Sequence, residues 1–116
     1  KGFAVLDKIK NEIAYLSWID FKNITIPEID HNKNLAIKEA YFLDDHCIKD
    51  HQRKGLHNAV FNERLLFCKK IGVKKVFIVV YLNNFSALQN LKKYNFKLTK
   101  TFIFYPLIKK VKSIKF

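Results

Sequence analysis

The chain has 116 residues, room for one domain with one core and too few for two. Its apolar content of 49% and aromatic content of 15% exclude a disordered chain. The formal net charge of +12, from 22 Lys+Arg against 10 Asp+Glu, favours polyanionic or phosphate-rich partners. Two cysteines make no disulfide framework, and no apolar run reaches the ~18 residues of a membrane span, so a reduced, cytoplasmic setting without a membrane is expected. The chain starts at Lys1 and has no methionine, so a preceding segment is expected.

Phe3 to Leu6 and Glu12 to Phe21 are apolar runs joined by a polar link, and they predict a hairpin. The second run is apolar at both parities, with Ile13, Tyr15 and Ile19 on one face and Ala14, Leu16 and Trp18 on the other. A strand of that kind belongs in a sheet covered on both sides. Lys22 to Asn34 carries Pro27 and several Asn and predicts a loop. Leu35 to Ile48 predicts the third strand, whose later half holds Asp44, Asp45 and His46.

Gly55 to Lys70 is the clearest helix, with Leu56, Val60 and Phe67 as its apolar stripe, Ala59 and Leu66 beside them, and Gly72 as its C-terminal cap. Val73 to Leu82 is a β-branched and aromatic run, the mark of a buried parallel strand. Ser86 to Tyr94 predicts a short helix and Phe96 to Leu107 a last strand, with a Lys-rich tail after it. A strand–helix–strand unit implies a parallel pair, and the leading hairpin implies antiparallel pairing. The expected fold class is therefore mixed α/β, a mostly antiparallel sheet with one parallel strand–helix–strand unit, in one domain over residues 1–116.

The segment CIKDHQRKGLHNA, residues 47–59, combines a strand end, a basic turn and a glycine that opens a helix. The first N–H groups of such a helix lack intrahelical partners and sit at the positive end of its dipole. Gly55 lets a phosphate approach the main chain, and Arg53 and Lys54 add charge. The local physics predicts a phosphate or pyrophosphate at residues 53–58.

These residues resemble the acyl-CoA motif of the GNAT (GCN5-related N-acetyltransferase) superfamily: Arg or Gln, two residues, Gly, one residue, then Gly or Ala. Gln52 and Gly55 hold the first two positions, and His57 replaces the second small residue. Downstream, Asn84, Ala87, Leu91, Lys93, Asn95 and Phe96 resemble the family's second pattern, Asn, two residues, Ala, then a helix ending in Lys-x-Gly-Phe, with Asn95 for the glycine. The resemblance implies transfer of an acetyl group from acetyl-CoA to a primary amine of a small molecule. It implies backbone contacts from Cys47 and Ile48 to the pantetheine arm and the thioester carbonyl, and a pyrophosphate cradle from Gln52, Arg53, Lys54, Gly55, Leu56, His57 and Asn58. Asn84 and Ala87 would orient the cofactor. The family's first strand and two helices, which build much of the acceptor site, have no counterpart in the chain.

Amine transfer needs a base and a proton source for the leaving thiolate. Asp44 and His46, which strict alternation would place on one face, are candidate bases, and Asp45 would share the other face with Cys47. The family's acid is often a tyrosine, but its position here is Leu91. The option of no dedicated acid comes first, then Tyr94, three residues on, then Tyr81, a phenol near the expected cofactor strand. No common zinc spacing occurs among the His and Cys residues, so no metal is expected. The alternatives are a degenerate acyl-CoA-binding module, suggested by Leu91, and a basic nucleic-acid-binding domain, suggested by the charge but without any recognised motif. A homodimer is compatible with the sequence.

Overall fold

The computed structural model describes residues 1–48, 52, 55–105 and 110–115. Its contacts cluster into two compact units, residues 1–25 with 32–78, and residues 26–31 with 79–116.

The first unit is built on a four-stranded sheet ordered β1 (Gly2–Asp7), β2 (Glu12–Asp20), β5 (Glu39–Cys47) and β6 (Lys75–Ile78). β1 and β2 form the expected antiparallel hairpin, β2 pairs antiparallel with β5, and β5 pairs parallel with β6. Helix α1 (Leu56–Lys70) makes the crossover between the parallel strands. This is the fold class the sequence predicts.

The core lies between α1 and the odd residues of β2. Tyr15, Ser17 and Ile19 are buried there with Phe42, Val60, Phe61 and Cys68. The Phe42 and Phe61 rings meet edge to face, centroids 5.7 Å apart, the arrangement the ring quadrupoles favour. The other parity is covered at Ala14 and Tyr41, but Trp18 is 46% exposed. The stripe expected on α1 is displaced. Val60, Phe61, Arg64 and Cys68 are buried, whereas Leu66 is exposed. An arginine on the buried face breaks the apolar periodicity that sequence reading relies on.

The predicted loop at Lys22 to Asn34 contains a small hairpin, β3 (Asn23–Ile26) and β4 (His31–Asn34), joined by a 3-10 turn at Pro27–Ile29. The third strand starts at Glu39 rather than Leu35, and the parallel strand is limited to four residues.

In the second unit, α2 (Phe85–Lys93) precedes a hairpin of β7 (Lys100–Tyr105) and β8 (Lys110–Lys115). The Lys-rich tail is thus a strand, with Lys100 opposite Lys115 and Ile103 opposite Lys112. Both helices end in the same way. Gly72 after α1 (φ 84°) and Asn95 after α2 (φ 64°) are left-handed. Val73 N–H then bonds to Cys68 O at 2.9 Å and Phe96 N–H to Leu91 O at 3.1 Å, a Schellman closure at each end. Asn95 thus serves in the glycine's conformation, as expected of a residue that tolerates it.

Candidate functional site

β5 carries the site because its ladder changes twice along its length. Its pairing with β6 runs only from Glu39↔Lys75 to Phe42↔Ile78. From Leu43 to Cys47 the strand stays paired with β2, while its other edge has no strand partner among the described residues.

On the β2 side the register breaks in the same stretch. Trp18 pairs with Leu43 and Leu16 with His46, so Ser17 faces two residues, Asp44 and Asp45. This is a β-bulge, which bends a strand and re-aims the residues beyond it. Leu43 and His46 consequently lie on one face although three residues apart. Strict alternation therefore does not carry from Asp44 to His46, and the shared face expected for that pair has no basis in the observed register. The side chain of Asp44 lies outside the described residues.

Beyond the bulge, Ile48 N–H bonds back to Ala14 O on β2 at 3.0 Å. Antiparallel pairing alternates, so the N–H and C=O of Cys47 turn to the unpartnered edge. Gln52 Nε2 lies 3.5 Å from Cys47 O. Of the two residues expected to meet a thioester, Cys47 offers a free-edge N–H, and that of Ile48 is engaged by β2.

α1 opens at Gly55, its N-cap, which is left-handed at φ 74°. Among the described residues a Cβ there would meet nothing within 4 Å. α1 has no side-chain cap and no acidic residue in its first turn. Its N-terminus is thus receptive to an anion. Arg53 and Lys54 lie outside the described residues.

Between β2, β5 and α1 sits a cluster that sequence reading does not assemble. Tyr15 Oη donates to Asp45 Oδ2 at 2.9 Å, and Arg64 Nη2 donates to the same oxygen at 2.8 Å. His57 Nδ1 lies 2.7 Å from Tyr15 Oη and 3.3 Å from Asp45 Oδ2. The single phenol proton goes to the carboxylate, so Nδ1 must carry its own proton and donate to the phenol oxygen. His57 thus stands where the family motif has a small residue because its ring folds toward Tyr15, 6.2 Å between centroids, and Phe61, 5.9 Å.

Burial alone would raise the Asp45 pKa, but hydrogen bonds from His57, Tyr15 and Arg64, with the Arg64 charge, outweigh it and hold the carboxyl below its ordinary range. Burial, reinforced by the Asp45 charge and hydrogen bond, pushes the Tyr15 phenol far above its ordinary value. Asp45 is therefore an anchored carboxylate, poorly suited to take a proton. Burial also raises the Cys68 thiol, which suits a packing role. The sequence signal for this cluster is an Asp in an apolar strand and an Arg on a helix. Only the bulge and the helix phase bring them together.

His46 is exposed, on the face of Leu16 and away from this cluster. In the second unit Asn84 is the N-cap of α2, its Oδ1 accepting from Ala87 N–H at 3.2 Å. The Asn-x-x-Ala spacing thus has a local explanation, an N-cap and its N3 partner. Tyr94 is the C-cap of α2 and Tyr81 is 71% exposed. Among the described residues no His, Cys, Asp and Glu side chains group in a way that could hold a metal ion, and no helix is long and apolar enough to cross a membrane.

Solved structures share this architecture. The ribosomal-protein-S18-alanine N-acetyltransferase from Escherichia coli superposes with a TM-score of 0.66 at 17% identity, over 86% of this chain and 55% of that one. A Pyrococcus furiosus protein provisionally named an acetyl transferase gives 0.69 at 19% identity, over 90% of this chain and 64% of that one. A single-site mutant of the BH1408 protein from Bacillus halodurans gives 0.66 at 15% identity, over 90% and 64%. The chain therefore has the GNAT fold. It spans 55–64% of the length of these structures. No protein-family profile matches the sequence, and no curated protein does.

Proposed function

We propose that the chain is the acyl-CoA-binding core of a GNAT-type N-acetyltransferase that moves an acetyl group from acetyl-CoA to a primary amine of a small molecule. The observation that supports this most is the course of β5. It leaves β6 at Phe42, turns the Cys47 main chain to an open edge, and leads within eight residues to a left-handed glycine and an uncapped helix. A pantetheine arm, itself an extended amide chain, would add to that edge as a strand does. The pyrophosphate would lie against the N–H groups just after Gly55, with Gln52, Arg53, Lys54, Leu56, His57 and Asn58 around it.

In the reaction the amine nitrogen attacks the thioester carbonyl and gives up a proton to a base, the C–S bond breaks, and the thiolate takes up a proton. The Cys47 N–H is placed to stabilise the carbonyl oxygen. Asp44 and His46 remain the candidate bases; transfer without a dedicated acid comes first for the thiolate's proton, then Tyr94, then Tyr81.

A second reading, an acyl-CoA-binding module without transfer activity, is favoured by Leu91, which occupies the position of the family's acid and cannot donate. Thermal melting with acetyl-CoA, then thiol release across a panel of primary amines, separates the two. At 100-fold excess over its Kd the ligand should add about 2.7 kcal/mol. No shift at millimolar acetyl-CoA, in a folded sample, counts against both readings. A shift without thiol release for any amine favours the binding module.

A further inference from the structure

Arg64 is an expensive residue to keep where it is. Its side chain is 1% exposed and Nε has no partner among the described residues. Burying an ion pair seldom stabilises more than a well-packed apolar side chain would. Its contacts show what it does instead. Nη2 donates to Asp45 Oδ2 on β5 at 2.8 Å, and Nη1 donates to Trp18 O on β2 at 3.3 Å. Trp18 borders the bulge on β2, and Asp45 is one of the two β5 residues that form it. The guanidinium also lies 4.4 Å from the Phe42 ring centroid, at the last residue pair that β5 makes with β6. Tyr15 and His57 hold the same Asp45 oxygen from β2 and α1.

We propose that Arg64 is a positioning residue: from α1 it staples the β5 bulge across both strands, and so sets the aim of the Cys47 N–H along the open edge. The proposal rests on the reading of that edge as the thioester site. A bulge left to itself has several ways to place its extra residue. A planar fork with one prong on each strand leaves one. An error of about 1 Å in a carbonyl-binding N–H costs on the order of 100-fold in rate.

The test separates aim from stability. Arg64→Met alone strands a carboxylate and should destabilise. In the double variant Arg64→Met/Asp45→Asn no charge is left unpaired, and stability should return most of the way. The probe is acetyl-CoA, with free CoA as control. Amide spectra of wild type should show acetyl-CoA moving the Cys47 N–H resonance beyond the effect of CoA. The folded double variant should bind CoA as wild type does and lose that acetyl-specific change. Where thiol release is measurable, kcat should fall about 10- to 100-fold with KM for acetyl-CoA unchanged. Arg64→Lys keeps a cation but cannot reach both strands, and should show the same loss; it serves if the double variant does not fold. An unaltered Cys47 response and unaltered kcat in a folded variant would overturn the proposal. If CoA binds to wild type yet acetyl-CoA moves no β5 amide differently, the thioester is elsewhere and the edge reading fails first.

Discussion

Tyr15 Oη and His57 Nδ1 lie 2.7 Å apart, joining the middle of β2 to the first turn of α1 through a phenol whose proton is already given to Asp45. The phenol is nearly buried, at 3% exposure, and its folded pKa is raised. Stability from it is therefore full below the unfolded pKa of about 10 and is lost as pH rises above that value. Tyr15→Phe should be less stable at neutral pH by about 1–2 kcal/mol, because Asp45 Oδ2 loses a donor and the His57 Nδ1–H loses its acceptor. It should also lack the steep alkaline loss expected of wild type. Urea unfolding at a series of alkaline pH values measures both.

Asp45 works in the opposite sense. Its folded pKa is depressed, so its contribution is present above the unfolded value of about 3.9 and lost as pH falls through the lower folded value. Asp45→Asn should cost about 2–3 kcal/mol at pH 7, below the 3–5 of a fully buried pair because 27% of its side chain remains exposed. Its acid limb should be correspondingly shallower. Chemical denaturation from neutral to acid pH would show the two curves converging below about pH 4.

Gly55 and Gly72 are both left-handed, and among the described residues an added Cβ meets nothing within 4 Å at either. Alanine at either should cost a similar ~1–2 kcal/mol of backbone strain. Only Gly55→Ala should also lose the thermal shift with acetyl-CoA, because only there would the methyl stand between an anion and the main chain. Equal ligand shifts in the two variants would move the pyrophosphate away from α1.

Asn84→Ala removes the cap on α2 and should cost about 1 kcal/mol. Hydrogen exchange at the Ala87 amide, which loses its acceptor, should quicken more than at Leu91. Asn84→Asp should restore protection, since a carboxylate caps as well.

Tyr94→Phe and Tyr81→Phe should each change turnover less than tenfold, short of the ~10²–10⁴ of a positioned acid. A hundredfold loss for Tyr94→Phe, with acetyl-CoA binding intact, would assign the acid to the C-cap of α2.

Much of the fold is legible in the sequence because its signals are local. The hairpin, the crossover helix and the Gly72 and Asn95 caps come from runs and turn chemistry that need no distant partner. The third strand shows as a run, but its bulge does not. Nothing in Asp44-Asp45 distinguishes two residues facing one from plain alternation, because the slip exists only relative to Ser17. Arg64 escapes notice for a related reason. A charged residue on an apolar face reads as solvent-facing until a strand 19 residues away supplies its carboxylate. The glycine turn is legible because its chemistry is written in the turn itself. The hairpin of β7 and β8 is only half visible, since six residues with three lysines, all exposed, do not look like a strand.

The bulge in β5 has a consequence for how this chain can be compared with others. It works as a phase shifter: carrying the in-and-out pattern of Tyr41 and Phe42 forward by counting arrives at His46 one step out. A comparison that scores apolar alternation alone meets a one-residue slip there, because a step of one moves every following side chain to the other face. Matching the strand from its two ends separately, and letting the surplus residue fall opposite Ser17, keeps both the core and the turn in register.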